Sequence, residues 1–286
     1  MGWHRPKRCF HAVLATTMII IEGMTNSALA VDLVTDLDVP DQTATLDVQR
    51  TSYTLGLGVG LAPDYEGSDD YRIVPLWNLR INNLYDPDTF IQVLGPTLRS
   101  NVLPDQHWRL GVSGRYQPDY DNVDNNKVED LKDTDATGLL GVTVGYDFLV
   151  ERGRDLALEL DAQYDVLHGN GGVLTPRLRW QAPATERITV GASVSATWGS
   201  EDYMGNRFSI NASEADRSGL DEYDADEGFK NAMVTGTLSY RFTEAWSLTG
   251  LAAYSRLFSQ AADSPIVDDE GNENQFLAGL LVNYSF

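Results

Sequence analysis

The chain reads as an all-β protein, a closed antiparallel transmembrane β-barrel of the outer-membrane type. Three observations predict it. From Tyr53 onward apolar residues recur with period two, and no helical stripe is sustained. The alternating runs last about 10 to 12 residues, the length a tilted strand needs to cross a bilayer, whereas soluble strands cluster nearer 5 or 6. The apolar faces end in aromatics, among them Tyr53, Trp77, Tyr146, Tyr240, Trp246 and Tyr284, as a girdle at each membrane interface requires.

Composition agrees by exclusion. Of 286 residues, 42 are acids and 21 are bases, which argues against a nucleic-acid partner needing clustered Lys and Arg. One Cys excludes a disulfide framework and a Cys-based zinc site. A mean hydropathy of −0.27 excludes a polytopic helical membrane protein but not a barrel, whose alternating strands hide their hydrophobicity from an average.

The elements follow in order. Residues 1–30 read as a signal peptide: a basic start at His4, Arg5, Lys7 and Arg8, a short apolar core from Phe10 to Ile21, and a small-residue cleavage site at Ala28-Leu29-Ala30. Its removal takes away the only Cys, Cys9, and implies export to the envelope of a Gram-negative bacterium. Residues 31–52 form an acidic N-terminal extension, and 53–286 the barrel.

Strands are predicted at about 53–63, 71–82, 88–101, 107–117, 138–150, 154–166, 173–182, 187–198, 230–242, 246–257 and 275–286. That makes eleven, and bacterial single-chain barrels have an even number. Twelve strands are preferred, with ten as the alternative; Thr43–Arg50 and Arg207–Ala212 are the candidates for the missing one. Turns at Glu151-Arg152-Gly153, Ala182–Glu186 and Thr243-Glu244-Ala245 are short, while 118–137, 199–229 and 258–274 are long and acidic. Short periplasmic turns and long extracellular loops give that asymmetry, so the long segments lie outside the cell or fold into the barrel mouth.

Two stretches carry a family likeness. Gly58–Arg72 (GVGLAPDYEGSDDYR) contains Pro63, Asp64, Tyr65, Glu66, Gly67 and Ser68, and Ala261–Val267 (AADSPIV) contains Asp263, Ser264 and Pro265. Together with Ala245–Leu257, the closing strand to Phe286, and the Tyr203-Met204-Gly205 and Ser218-Gly219-Leu220 elements, they resemble the MipA/OmpV family of outer-membrane proteins over roughly 53–286. The acidic extension and the Asn/Asp-rich 118–135 loop depart from that pattern. The resemblance implies an outer-membrane barrel. It also implies a scaffold role, since one member is described as joining a murein-degrading lytic transglycosylase to a murein synthase. Other members are described as immunogenic, osmotically regulated or adhesive surface proteins. No catalytic residues come with the likeness.

Several constellations invite a role. Glu159, Asp161, Asp165, Arg177 and Arg179 line the polar faces of adjacent strands; a turn centred near Gly169–Gly172 sets Asp161 opposite Arg177 and Glu159 opposite Arg179. Unpaired charge at membrane depth is expensive, so a lumenal ladder of ion pairs is expected. It reads either as a selective constriction or as structural neutralisation of a filled lumen. Leu280, Val282, Tyr284 and Phe286, at spacing two with a terminal aromatic, resemble the signal by which barrels are recognised for assembly. Gly56, Gly58 and Gly60 fit either close approach by another chain segment or strand curvature.

The acids Asp119, Asp121, Asp124, Glu129, Asp130, and Asp268, Asp269, Glu270, Glu273, could hold a hard divalent cation but match no calcium loop and read as solvated. His107 and His168 have no GxSxG or comparable nucleophile motif beside them. The sequence therefore predicts a non-enzymatic barrel with no cofactor and no metal. It is a candidate murein scaffold, with a narrow solute pore or a surface adhesin as alternatives. Its expected partners are outer-membrane lipid and lipopolysaccharide, the barrel-assembly machinery, and a periplasmic murein hydrolase and synthase.

Overall fold

The computed structural model describes residues 51–120, 123–131, 134–149 and 154–286. Twelve strands close into one antiparallel barrel: β1 (Ser52–Pro63), β2 (Tyr71–Asn82), β3 (Phe90–Leu94), β4 (Thr97–Asn101), β5 (Trp108–Gln117), β6 (Thr137–Asp147), β7 (Asp155–Asp165), β8 (Gly172–Pro183), β9 (Ile188–Gly199), β10 (Gly228–Arg241), β11 (Trp246–Leu257) and β12 (Asn274–Ser285). Each strand pairs with its sequence neighbours, and β1 closes the ring on β12. Closure removes the two free edges an open sheet would expose to lipid. Among the described residues no helix is long and apolar enough to cross a membrane.

The predicted twelfth strand is present, and it lies within 88–101 rather than at Thr43–Arg50 or Arg207–Ala212. The run 88–101 folds back on itself at Gly95-Pro96, giving the two five-residue strands β3 and β4, with Leu94 facing Thr97. Gly95 takes φ +51 at the first central position, as a two-residue hairpin turn with Gly there demands. Arg207–Ala212 is not a strand: it spans two helix ends around Ile210, which makes one isolated bridge to Tyr223. Thr43–Arg50, the signal peptide, the extension up to Arg50 and the Glu151-Arg152-Gly153 turn lie outside the described residues.

The lipid-facing surface is apolar and exposed, Leu57 by 74% and Ile73 by 78%. Aromatics ring it at both ends. At the end where β1 starts and β12 finishes, Phe286 stacks on Tyr53 at 5.5 Å, Trp246 meets Tyr284 at 4.8 Å and Tyr240 meets Phe242 at 5.1 Å. At the other end Tyr254 meets Phe276 at 4.9 Å.

The inner surface has two characters. On β4 to β8 it is charged. On β1 to β3 and β10 to β12 it carries an apolar cluster, including Val74, Leu76, Leu94, Leu251, Leu277 and Leu281. Leu76 can lie flat there because Gly60 and Gly279 beneath it have no Cβ; one at Gly279 would stand 2.5 Å from the Leu76 Cδ1. Gly56 and Gly58 lie against Asn283 and the β12 backbone, so the close approach comes from the paired strand rather than an inserted loop.

Candidate functional site

The long loops do not spread outward; they fold over the extracellular mouth. The loop between β9 and β10 contributes α2 (Glu201–Phe208) and α3 (Ala212–Ser218), that between β5 and β6 contributes α1 (Asn126–Glu129), and that between β11 and β12 contributes α4 (Ser259–Ala262) and α5 (Pro265–Asp268). Local sequence sets each. Asn125 accepts from Lys127 N–H and Val128 N–H to start α1; Asn211 and Glu214 form a capping box on α3, which Gly219 ends in the left-handed conformation. Tyr203, Met204, Arg207 and Phe208 share the buried face of α2. With Tyr65, Tyr120, Val128, Leu131, Ile266 and Val267 they make a second hydrophobic core, built from loops and seated on the barrel rim.

The two family stretches meet in this cap. Pro63 ends β1. The Asp64 carboxylate pairs with Arg72 and accepts the Asp124 N–H at 2.6 Å; burial nonetheless holds this carboxyl above its usual value. Tyr65 donates its hydroxyl to the Glu270 carbonyl at 2.9 Å and sits edge-on to Tyr120 at 5.6 Å, its ionisation pushed up by burial. Gly67 adopts φ +101, and a Cβ there would stand 2.5 Å from Val267 of the second stretch. The Ser68 carbonyl accepts from the Gln275 amide at 3.0 Å. Ser264 donates to the Phe208 carbonyl at 2.7 Å, Pro265 opens α5, and Asp263 is exposed at the C-terminal cap of α4.

Beneath the cap lies a buried polar chain. Lys230 Nζ stands 2.6 Å from Glu66 Oε1 and 3.4 Å from the Tyr203 hydroxyl, which donates to Gln117 at 3.1 Å. Arg207 lies over the Tyr120 ring at 4.7 Å and donates to the Pro118 carbonyl at 2.9 Å. Burial pushes the Glu66 carboxyl up to about 7, against the pull of Arg207 and Arg115, and the Tyr203 hydroxyl up to about 12. Glu66 Oε2 and Arg207 Nε are buried without a hydrogen-bond partner among the described residues.

Sequence reasoning did not single out Lys230 or Arg207. Strict alternation puts Lys230 on the lipid face with Ala232 and Val234. A β-bulge between Phe229 and Asn231 turns it inward instead, to 0% exposure. A lysine in a strand whose other charge, Arg241, stands at the opposite end is the signal that marks the place.

The lumenal charges do form a network, in a register two residues from the expected one. Glu159 faces Arg177, and Arg179 faces Ala157. Arg177 bridges Asp161 at 2.9 Å and Glu159 at 3.4 Å; Arg179 bridges Asp155 at 2.9 Å and Glu159 at 3.4 Å; Arg99 reaches Glu159 at 2.5 Å from across the lumen, and Arg109 reaches Asp147 at 2.7 Å. The register slips because Asp165 is not a rung. Its carboxylate ties the following loop, accepting from Gly138, Leu167, His168 and Asn170 N–H groups, while Gly169 and Gly171 turn the chain at positive φ.

Leu280, Val282, Tyr284 and Phe286 all face outward, and Phe286 and Tyr53 exchange backbone hydrogen bonds of 2.9 and 3.0 Å at the seam. The loop acids are engaged locally: Glu270 accepts from Asn125 at 3.0 Å and from Lys127, and Glu273 pairs with Arg256 at 2.7 Å. Among the described residues no three His, Cys, Asp or Glu side chains gather as a metal site, and Asp121 lies outside them. The His107 and His168 rings engage the Asp147 and Ala136 carbonyls at 2.9 and 3.0 Å.

Residues 55–286 match the family model described as MltA-interacting protein MipA. The chain is 24% identical over 221 residues to the MltA-interacting protein of Escherichia coli (strain K12), covering 76% of this chain and 84% of that one. It is 25% identical over 225 residues to YiaT of the same organism, named as a candidate outer membrane protein, covering 76% and 86%. Among solved structures it is similar to an outer membrane channel of Pseudomonas putida F1, at 13% identity and a TM-score of 0.48, covering 88% of this chain and 100% of that one. The protein is thus a Gram-negative outer-membrane β-barrel, and it belongs to the MltA-interacting protein MipA family.

Proposed function

We propose that this barrel is a non-enzymatic, non-conducting scaffold that docks murein-remodelling enzymes, a lytic transglycosylase and a synthase, at its periplasmic face. One observation supports the non-conducting half: the loop cap lies across the barrel mouth. The cap seals the extracellular mouth with a hydrophobic core, and the lumen below is filled by paired charges and small polar side chains, Arg177 being 1% exposed. A filled lumen favours structural neutralisation over a selectivity filter as the role of Glu159, Asp161, Arg177 and Arg179. It also disfavours the solute pore. The folding of 199–229 and 258–274 into the cap leaves little free loop for an adhesin. The docking half is supported by the relative named for its interaction with MltA. Leu280, Val282, Tyr284 and Phe286 serve as the signal for the assembly machinery, and lipopolysaccharide surrounds the outer rim.

The test is affinity capture of the tagged, folded barrel from native envelope extracts, paired with planar-bilayer recording. Enrichment of a murein transglycosylase or synthase and a silent bilayer are expected. Capture without either enzyme overturns the docking role, and discrete open-channel steps overturn the closed barrel.

A further inference from the structure

The barrel wall is incomplete on one side. The short strands β3 and β4 stop at Leu94 and Thr97, while β2 continues upward from Asn78 to Tyr71 and β5 to Gln117. The described residues supply no strand that pairs with 71–77 on the side away from β1. The result is a notch in the extracellular half of the wall. Gly95-Pro96 is its floor, and β2 and β5 are its sides, roughly 14 Å apart at three strand spacings. Above it the Tyr120–Tyr65 contact and the Asp124–Asp64 hydrogen bond join the two sides.

Two details accord with an open edge there. Gly95 N–H donates to the Trp77 carbonyl at 2.8 Å, so by alternation the backbone groups of Pro75 and Ile73 point into the notch. Pro75 has no N–H, which suits an unpaired edge and not a ladder.

Depth and lining fix what belongs there. Tyr71 stands in the outer aromatic belt, its hydroxyl accepting the Phe276 N–H at 3.2 Å, so Ile73 and Pro75 sit just inside the bilayer. The inner wall behind the notch is the one apolar side of the lumen, with Val74, Leu76 and Leu94 at its edge and Leu251, Leu277 and Leu281 beyond. A bare backbone N–H at this depth needs a polar partner from whatever fills the notch. We propose that the notch is a lipid-binding site, in which an acyl chain of an outer-leaflet lipid fills the space of the two missing half-strands. Its interfacial ester or amide carbonyl then lies at the level of the Ile73 N–H, able to accept it.

The experiment uses the folded barrel in detergent, titrated with a parinaroyl phosphatidylcholine, reading energy transfer from Trp77, whose carbonyl borders the floor. Saturable transfer is expected. Trp77→Phe should lose the Trp77 share of the transfer and keep that of the other tryptophans, and Leu76→Asn or Ile73→Asn should weaken the affinity at least tenfold. Glu244→Gln, in an exposed turn at the opposite end, should leave it unchanged. Ile73 contributes no core packing, so that variant folds even if Leu76→Asn does not. Transfer that grows linearly without saturating overturns the site. So does saturable transfer that the heat-modifiable Ile73→Asn protein retains within twofold.

Discussion

Lys230 and Glu66 lie 164 positions apart, yet their charged atoms meet at 2.6 Å beneath the extracellular cap. The bulge in β10 delivers the lysine and the turn after β1 delivers the carboxylate, so the pair fastens the cap to two walls of the barrel. Removing Lys230 strands Glu66 as a buried charge, a change that ordinarily costs about 3–5 kcal/mol. Lys230→Met should lower the unfolding free energy, read from urea titration of the heat-modifiable band, by that order at pH 7.5. The loss should shrink at pH 5.5, where Glu66 takes a proton. An equal loss at both pH values would show that the pair is not the fastening.

Glu66 also gives the cap a pH dependence of definite sign. Its folded carboxyl ionises near 7, against 4.5 ordinarily. Between those values the folded chain holds a proton that the unfolded chain has released, so stability falls as pH rises through the window and is level for this group on either side. The wild-type unfolding free energy should drop from pH 4.5 to 7.5 by up to about 3 kcal/mol relative to Glu66→Gln. Parallel curves for the two proteins would remove Glu66 from the account.

Gly67 joins the two family stretches. At φ +101 a side chain is strained whatever the space, at roughly 1–3 kcal/mol, and a Cβ would also strike Val267. Gly67→Ala should leave the barrel assembled but open the cap to proteinase K on intact cells. Adding Val267→Ala should restore only part of the protection, because the backbone strain remains.

In the lumen Glu159 is shared by Arg99, Arg177 and Arg179. Neutralising it leaves three guanidinium groups facing one another. Glu159→Gln should therefore reduce the folded fraction more than Asp155→Asn, whose carboxylate is partly exposed and contacts only the edge of the network. Bilayer conductance should stay silent in both; a channel that opens in the folded Glu159→Gln protein would reinstate the pore.

Phe286 combines a ring stacked on Tyr53 with a backbone pair that closes the seam. Phe286→Ala keeps the backbone pair, whereas deletion of the residue removes both. Folded protein in outer membranes should fall in both variants, and further in the deletion. Equal, wild-type amounts would separate Phe286 from assembly.

The barrel was legible in the sequence because lipid outside and polar groups inside write a period of two. Most strand limits agree within about two residues. Legibility failed where the pattern loses direction. In β2 both faces are apolar, Ile73 and Val74 alike, so the inner apolar wall leaves no mark. A hairpin inside 88–101 keeps the same period on both sides of Gly95-Pro96, and two strands read as one. The bulge at Lys230 breaks parity, so alternation assigns the residue to the wrong face. Asp165 looked like a rung because its position has the right parity, but its carboxylate serves the loop. The family stretches were recognised; their meeting in the cap depends on contacts between distant loops that no local spacing records.

Eleven of the twelve strand ladders join neighbours in sequence, and each can zip from its own turn. The ladder between β1 and β12 is different: Thr54 meets Ser285 across 231 positions. Nearly all the loop-closure entropy of the ring is concentrated in that one seam. The hairpins can form early and in any order, but the cylinder shuts only as a final, slow event that waits for the last strand. A circular permutant joining Phe286 to Ser52 and opened in an extracellular loop would turn the seam into one more local hairpin and move the slow step elsewhere.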